Sequence, residues 1–170
     1  MLRRIISVYW RTMYHLFVSL HILAAVVWVG GMLFLSLVLA PLVRSRKAAP
    51  EFMALFRSAA LRFRVVSWAA IGVLLLTGPM LLSQRGIALT VPSSWPHIVR
   101  LKLALVGALL VLTVLHDLVM GPRISHAIAV PESSRTAWEQ VVVRTARWLP
   151  RISLLLALAV VVVAAVLARN

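Results

Sequence analysis

Four long apolar runs leave this chain little choice of fold. The first extends from Leu16 to Val43, broken by Ser19, His21, Ser36 and the late Pro41, and it exceeds the roughly 20 residues that a bilayer-spanning helix needs. It also exceeds the apolar core of a signal peptide, about 7 to 15 residues, and no small-residue cleavage site follows it. The second run is Val65 to Leu82 and the third Leu101 to Met120. The fourth, Ile152 to Leu167, extends back to Trp148 and on to Ala168. Backbone groups in hydrocarbon must be satisfied within their own segment, and an alternating barrel pattern is absent, so each run is expected to be a helix. The reading is all-α: a single integral membrane domain, a four-helix bundle with spans near 14–42, 65–84, 99–120 and 148–168.

Composition agrees on the solvent. With 62% hydrophobic and 13% charged residues and a mean hydropathy of +1.00, too little polar surface exists to cover a water-soluble globule. Eighteen Lys and Arg against four acids give a formal charge of +14. They sit between the apolar runs rather than on a recognition helix, so the expected partner is a bilayer with anionic headgroups and no nucleic acid. The first and third loops hold the larger share of Lys and Arg, which turns both termini outward, to the periplasmic side of a bacterial inner membrane. With no cysteine, thiolate zinc sites, iron–sulfur clusters and thiol nucleophiles are excluded.

Two amphipathic stretches flank the spans. After Pro50, the residues Phe52, Leu55, Phe56, Ala59 and Phe63 recur at helical spacing opposite Arg57, Arg62 and Arg64, as in a helix at the membrane surface. Ser133 to Arg147 repeats the pattern more weakly, with Trp138, Val141 and Val142 against Arg135, Arg144 and Arg147.

A few polar residues stand where lipid tolerates them poorly. Tyr14, His21 and Trp28 are spaced by seven and share one helical stripe, with Gly30 and Gly31 just beyond. An ionisable group inside a span marks a pathway, cofactor or relay by default, so His21 is a functional candidate; the alternative is a neutral imidazole bonded to a neighbouring helix. Trp28 reads as packing, and the glycines as close-approach positions able to pair helices, including two copies in a homo-oligomer. Thr77, Gly78 and Pro79 predict a kink or end of the second span, with Thr77 satisfying a freed carbonyl.

The third span closes on His116 and Asp117, then Gly121, Pro122 and Arg123. Asp117 faces the negative end of a helix dipole, which calls for an offsetting cation such as Arg123 or a first-loop arginine. As neighbours on a helix, His116 and Asp117 point about 100° apart and are not expected to pair. Arg100 and Lys102 at the other end either snorkel to the interface or serve as counter-ions for an anionic cofactor. Two intramembrane histidines suit haem b as an axial pair, although His21 lies about 8 Å beyond Leu16 and His116 about 22 Å beyond Leu101 at the helical rise. That offset shrinks if the first helix starts near Ile5. The six methionines are scattered, without a clustered thioether motif for copper.

The segments LHILAAVVWVGGMLF, RFRVVSWAAIGVLLLTG and LKLALVGALLVLTVLHDLVMGPR resemble, in that order, the short four-span members of the CopD-type copper-resistance family. The resemblance implies an inner-membrane protein of copper transport or tolerance in which His21, Trp28, Gly30, Gly31, Thr77, Gly78, Lys102, His116 and Asp117 match recurring positions. It makes a copper ion the expected cargo, with His21 and His116 as ligands and Asp117 relaying or orienting. A looser similarity to HemJ-type protoporphyrinogen oxidases implies haem on the same histidines with Arg100 and Lys102 near the propionates. A structural or assembly subunit is the remaining alternative.

Overall fold

A computed structural model describes residues 2–44, 50–121, 134 and 136–169. Helix α1 spans Leu2–Leu33, passes through a π-helical stretch, Phe34–Leu39, and continues as α2, Ala40–Arg44. Helix α3 spans Pro50–Gln84, and a single 3-10 turn, Pro92–Ser94, precedes α4, His97–Val114. A second π-helical stretch, Leu115–Met120, extends α4, and α5 spans Ala137–Arg169. No strand occurs among the described residues. Among the described residues, four helical segments are long and apolar enough to cross a membrane: Arg11–Leu42, Glu51–Gln84, His97–Leu118 and Trp148–Arg169. The chain is an all-α integral membrane protein.

The helix ends follow from local chemistry. Thr136 and Glu139 form a reciprocal capping box at the start of α5, the Thr136 N–H donating to Glu139 Oε2 at 2.8 Å and the Glu139 N–H to Thr136 Oγ1 at 3.3 Å. At the far end of α3, Gly86 adopts φ +73°, and the N–H groups of Ile87 and Gly86 close onto the carbonyls of Leu82 and Ser83. That is the Schellman arrangement, which a glycine reaches without a Cβ penalty. Pro79 therefore does not end the second span; it lies inside α3, as Pro150 lies inside α5. The amphipathic stretch after Pro50 is the first part of α3 itself, since no proline or glycine occurs between Pro50 and Gly72 to break the helix. The part of the weaker stretch that is described, from Ala137 on, likewise runs straight into the fourth span. Ser133, Arg135 and Arg123 lie outside the described residues.

The chain forms two compact units, Met1–Trp95 and Pro96–Asn170. In the first, α1 packs on α3 with the chains antiparallel, and Ala24, Trp28, Ser67, Ala70, Ile71 and Thr77 are buried. In the second, α4 and its π-helical extension pack on α5, with Val99, Leu109, Ser153, Leu154 and Ala157 buried. Ala24, Ser67, Ala70, Ser153 and Ala157 are small, which lets helices approach closely where no hydrophobic effect drives them together in lipid. The outer faces are apolar: Leu76 is 73% exposed and Val65 71%, as lipid-facing side chains are.

Candidate functional site

The first polar constellation lies between α1 and α3. His21 projects from the face of α1 that also carries buried Ala24 and Trp28, and its Nδ1 is 2.7 Å from Thr77 Oγ1 on α3. Thr77 is itself buried, and its hydroxyl donates to the carbonyl of Val73 at 2.7 Å, one turn back along the same helix. A hydroxyl has one proton. With that proton committed to Val73, Thr77 Oγ1 can only accept from His21, so Nδ1 carries the imidazole hydrogen and the lone pair of the neutral ring lies on Nε2. The carbonyl that Thr77 engages is not the one that Pro79 frees, which by helix geometry is that of Leu75. The threonine thus orients the histidine rather than repairing the proline. Gly78 adjoins the ring: a β-carbon there would lie 3.7 Å from His21 Cε1, in ordinary contact.

Ten residues along α1 the two glycines part company. A β-carbon on Gly31 would overlap the Phe63 ring of α3, whereas one on Gly30 would meet nothing within 4 Å. Gly31 is thus the close-approach position within this unit, and Gly30 faces outward. Tyr14, at the other end of the stripe, is half-buried and sets its ring edge-on to His15 with centroids 5.8 Å apart.

The second constellation lies in the π-helical stretch after α4. His116 Nδ1 is 2.9 Å from Asp117 Oδ1, with the histidine 42% and the aspartate 14% exposed. The expectation that these neighbours would point apart is overturned. It assumed 3.6 residues per turn, whereas the wider π-helical turn rotates consecutive side chains by less and lets the imidazole meet the carboxylate. The turn closes with the Gly121 N–H bonded to the His116 carbonyl. An ionised carboxylate only accepts, so Nδ1 is again the donor and the lone pair of neutral His116 lies on Nε2. Carboxylate-anchored imidazoles of this kind are more basic ligands, and their ring orientation is held. Thr113, one turn earlier, donates its hydroxyl to the Leu109 carbonyl at 2.8 Å.

At the opposite end of α4, Arg100 is exposed, and its Nη2 lies 3.1 Å from both ring nitrogens of His97. Lys102 is half-buried. Among the described residues, three or more His, Cys, Asp or Glu side chains do not gather as a metal-holding group, and every buried side-chain nitrogen and oxygen has a hydrogen-bond partner. The structure thus places His21 with Thr77 and His116 with Asp117. The His116–Asp117 pair and the π-helical turn beneath it escape sequence reasoning, since no residue type marks a π-helical turn; a histidine and an acid one turn before Gly121 were the visible hint.

Residues 23–130 match the model of a family described as Domain of unknown function (DUF4149). The match covers more than half of the chain, which belongs to that family. It takes in Thr77, Gly78, His116 and Asp117 and begins two residues after His21. No curated protein and no solved structure matches the chain.

Proposed function

We propose that this member of the DUF4149 family is a CopD-like protein of the bacterial inner membrane that handles copper as cargo, with His21 and His116 as its ligands. The observation that carries the reading is the state of the two imidazoles. Each gives its Nδ1–H to an oxygen fixed beside it, Thr77 Oγ1 or Asp117 Oδ1, and each neutral ring then carries its lone pair on Nε2. Ligating histidines are held in this way, and imidazole suits copper in either common oxidation state. Among the described residues the donors do not build a closed chelate. Single imidazoles suit an ion that is held briefly and passed on, rather than one that is stored. The larger share of Lys and Arg in the first and third loops supports a topology with both termini in the periplasm.

The same sparse donor set supports a second reading. A porphyrin supplies four of the six donors around its iron, so haem b needs only one imidazole for each axial position, and His21 or His116 fits that role. Arg100 and Lys102 would then stand near the propionates.

Copper and iron quantified on detergent-purified protein, alongside oxidised and dithionite-reduced absorbance spectra, separate the two. Copper bound without a haem spectrum, reduced in each of His21→Ala and His116→Ala and lost when the two are combined, is the expected result. A reducible Soret and α band with stoichiometric iron replaces it with the haem reading. Unchanged copper binding in both variants removes the histidines from the function and leaves them as struts of the helix pairs.

A further inference from the structure

The exposed face of α5 carries a second kind of site. Arg144, Trp148 and Arg151 follow one another at helical spacing, so they stack on one face, and all three are exposed. The Arg151 guanidinium lies 5.0 Å from the centroid of the Trp148 ring, in range for a cation–π contact. Leu155, Leu158 and Val162 continue the same stripe toward the C-terminus and are exposed too, Leu155 at 67%. Ser153, Leu154 and Ala157, on the other side of the helix, are buried. The stripe thus changes from cationic to apolar after Arg151, one turn into the fourth spanning segment, which begins at Trp148.

We propose that this stripe binds one anionic phospholipid, its headgroup phosphate held by Arg144 and Arg151 and its acyl chain laid along Leu155, Leu158 and Val162. Tryptophan belongs at the depth where headgroups meet hydrocarbon. Stacking on it holds Arg151 at that depth, and guanidinium matches phosphate by paired N–H donors. Arg144, two turns toward the N-terminus, supplies the second cation. The acid on this helix, Glu139, is occupied in the capping box with Thr136 and sits off the stripe. An acyl chain has a place only if the phosphate belongs to a lipid, because a free phosphate ester has no use for the apolar half of the stripe.

The test is native mass spectrometry of the full chain released from nanodiscs containing phosphatidylglycerol and phosphatidylcholine in equal amounts. The wild type should retain phosphatidylglycerol over phosphatidylcholine, and Arg144→Gln with Arg151→Gln should weaken that preference by about fivefold per arginine. Arg57→Gln removes an exposed cation from another helix and should leave the preference intact. An equal fall in Arg57→Gln would mean that overall charge is responsible, and an undiminished preference in the double variant would mean that another surface is; either result overturns the site. Competition by millimolar glycerol 3-phosphate as effective as that by the lipid would replace the phospholipid with a soluble phosphate ester. None of these readouts depends on copper or haem.

Discussion

His21 Nδ1 donates to Thr77 Oγ1 across 2.7 Å, and Thr77 in turn donates to the Val73 carbonyl, so a histidine on one spanning helix is oriented by the backbone of another through a single hydroxyl. The relay makes Thr77 a positioning residue, with consequences for binding as well as for stability.

Thr77→Val keeps the shape of the side chain and removes both hydrogen bonds. Interhelical hydrogen bonds in membrane proteins contribute about 0.6 kcal/mol on average and rarely more than about 1.7 kcal/mol, so thermal unfolding in detergent should show a loss in that range. Copper affinity should fall as well, because the ring can rotate and change tautomer. Thr77→Ser retains the hydroxyl and should restore affinity even if packing suffers. If Thr77→Val lowers stability and leaves copper affinity at the wild-type value, the relay holds helices together and has no part in binding.

Gly31 and Gly30 give a paired prediction from adjacent residues. A β-carbon at position 31 overlaps the Phe63 ring, which must shift or push the helices apart, while position 30 is open. Gly31→Ala should cost about 1 to 3 kcal/mol, as overpacking does. Gly30→Ala should be neutral or stabilising by up to about 1 kcal/mol, since alanine is the better helix former. Combining Gly31→Ala with Phe63→Leu should recover most of the loss. Denaturation curves of the four proteins check this, and equal effects of Gly30→Ala and Gly31→Ala would contradict the packing described.

Pro79 lies within α3 and cannot donate to the Leu75 carbonyl, yet the helix continues to Gln84. Pro79→Ala restores that donor at an exposed position. The expected outcome is a higher unfolding temperature with unchanged metal binding, because the link from His21 to Val73 does not pass through the carbonyl that the proline frees. A loss of copper affinity in Pro79→Ala would show that the proline's effect on α3 sets the position of His21.

The spans were legible because water penalises every exposed apolar side chain, and lipid every unsatisfied backbone group, over some twenty residues at once; no local detail reverses that. Which residues meet was less legible. His21 and Thr77 each stood out, since a ring nitrogen and a hydroxyl inside apolar runs need partners, but periodicity does not set the register between two helices. Pro79 was read as a kink or an end, while the Gly86 turn that ends α3 was overlooked: a proline near the end of a long span is tolerated where one carbonyl can be spared, whereas a left-handed residue ends the helix outright. The pairing of His116 with Asp117 was beyond reach for a different reason. It depends on the turn widening to the π-helical form at Leu115–Met120, a backbone choice that leaves no periodic trace.

That pair supports the last prediction. Asp117→Asn retains an oxygen able to accept from His116 Nδ1 but removes the negative charge that makes the imidazole a stronger donor to a metal. Loss of such an anchoring carboxylate typically weakens metal binding by about 10- to 100-fold. Measured in the His21→Ala background, so that His116 is read alone, Cu(I) affinity against a competing chelator should fall by that factor in Asp117→Asn and below detection in His116→Ala. Wild-type affinity in Asp117→Asn, with binding lost in His116→Ala, would leave His116 a ligand and reduce the carboxylate to a local brace of the π-helical turn. Retention in both would mean that His116 does not hold the ion.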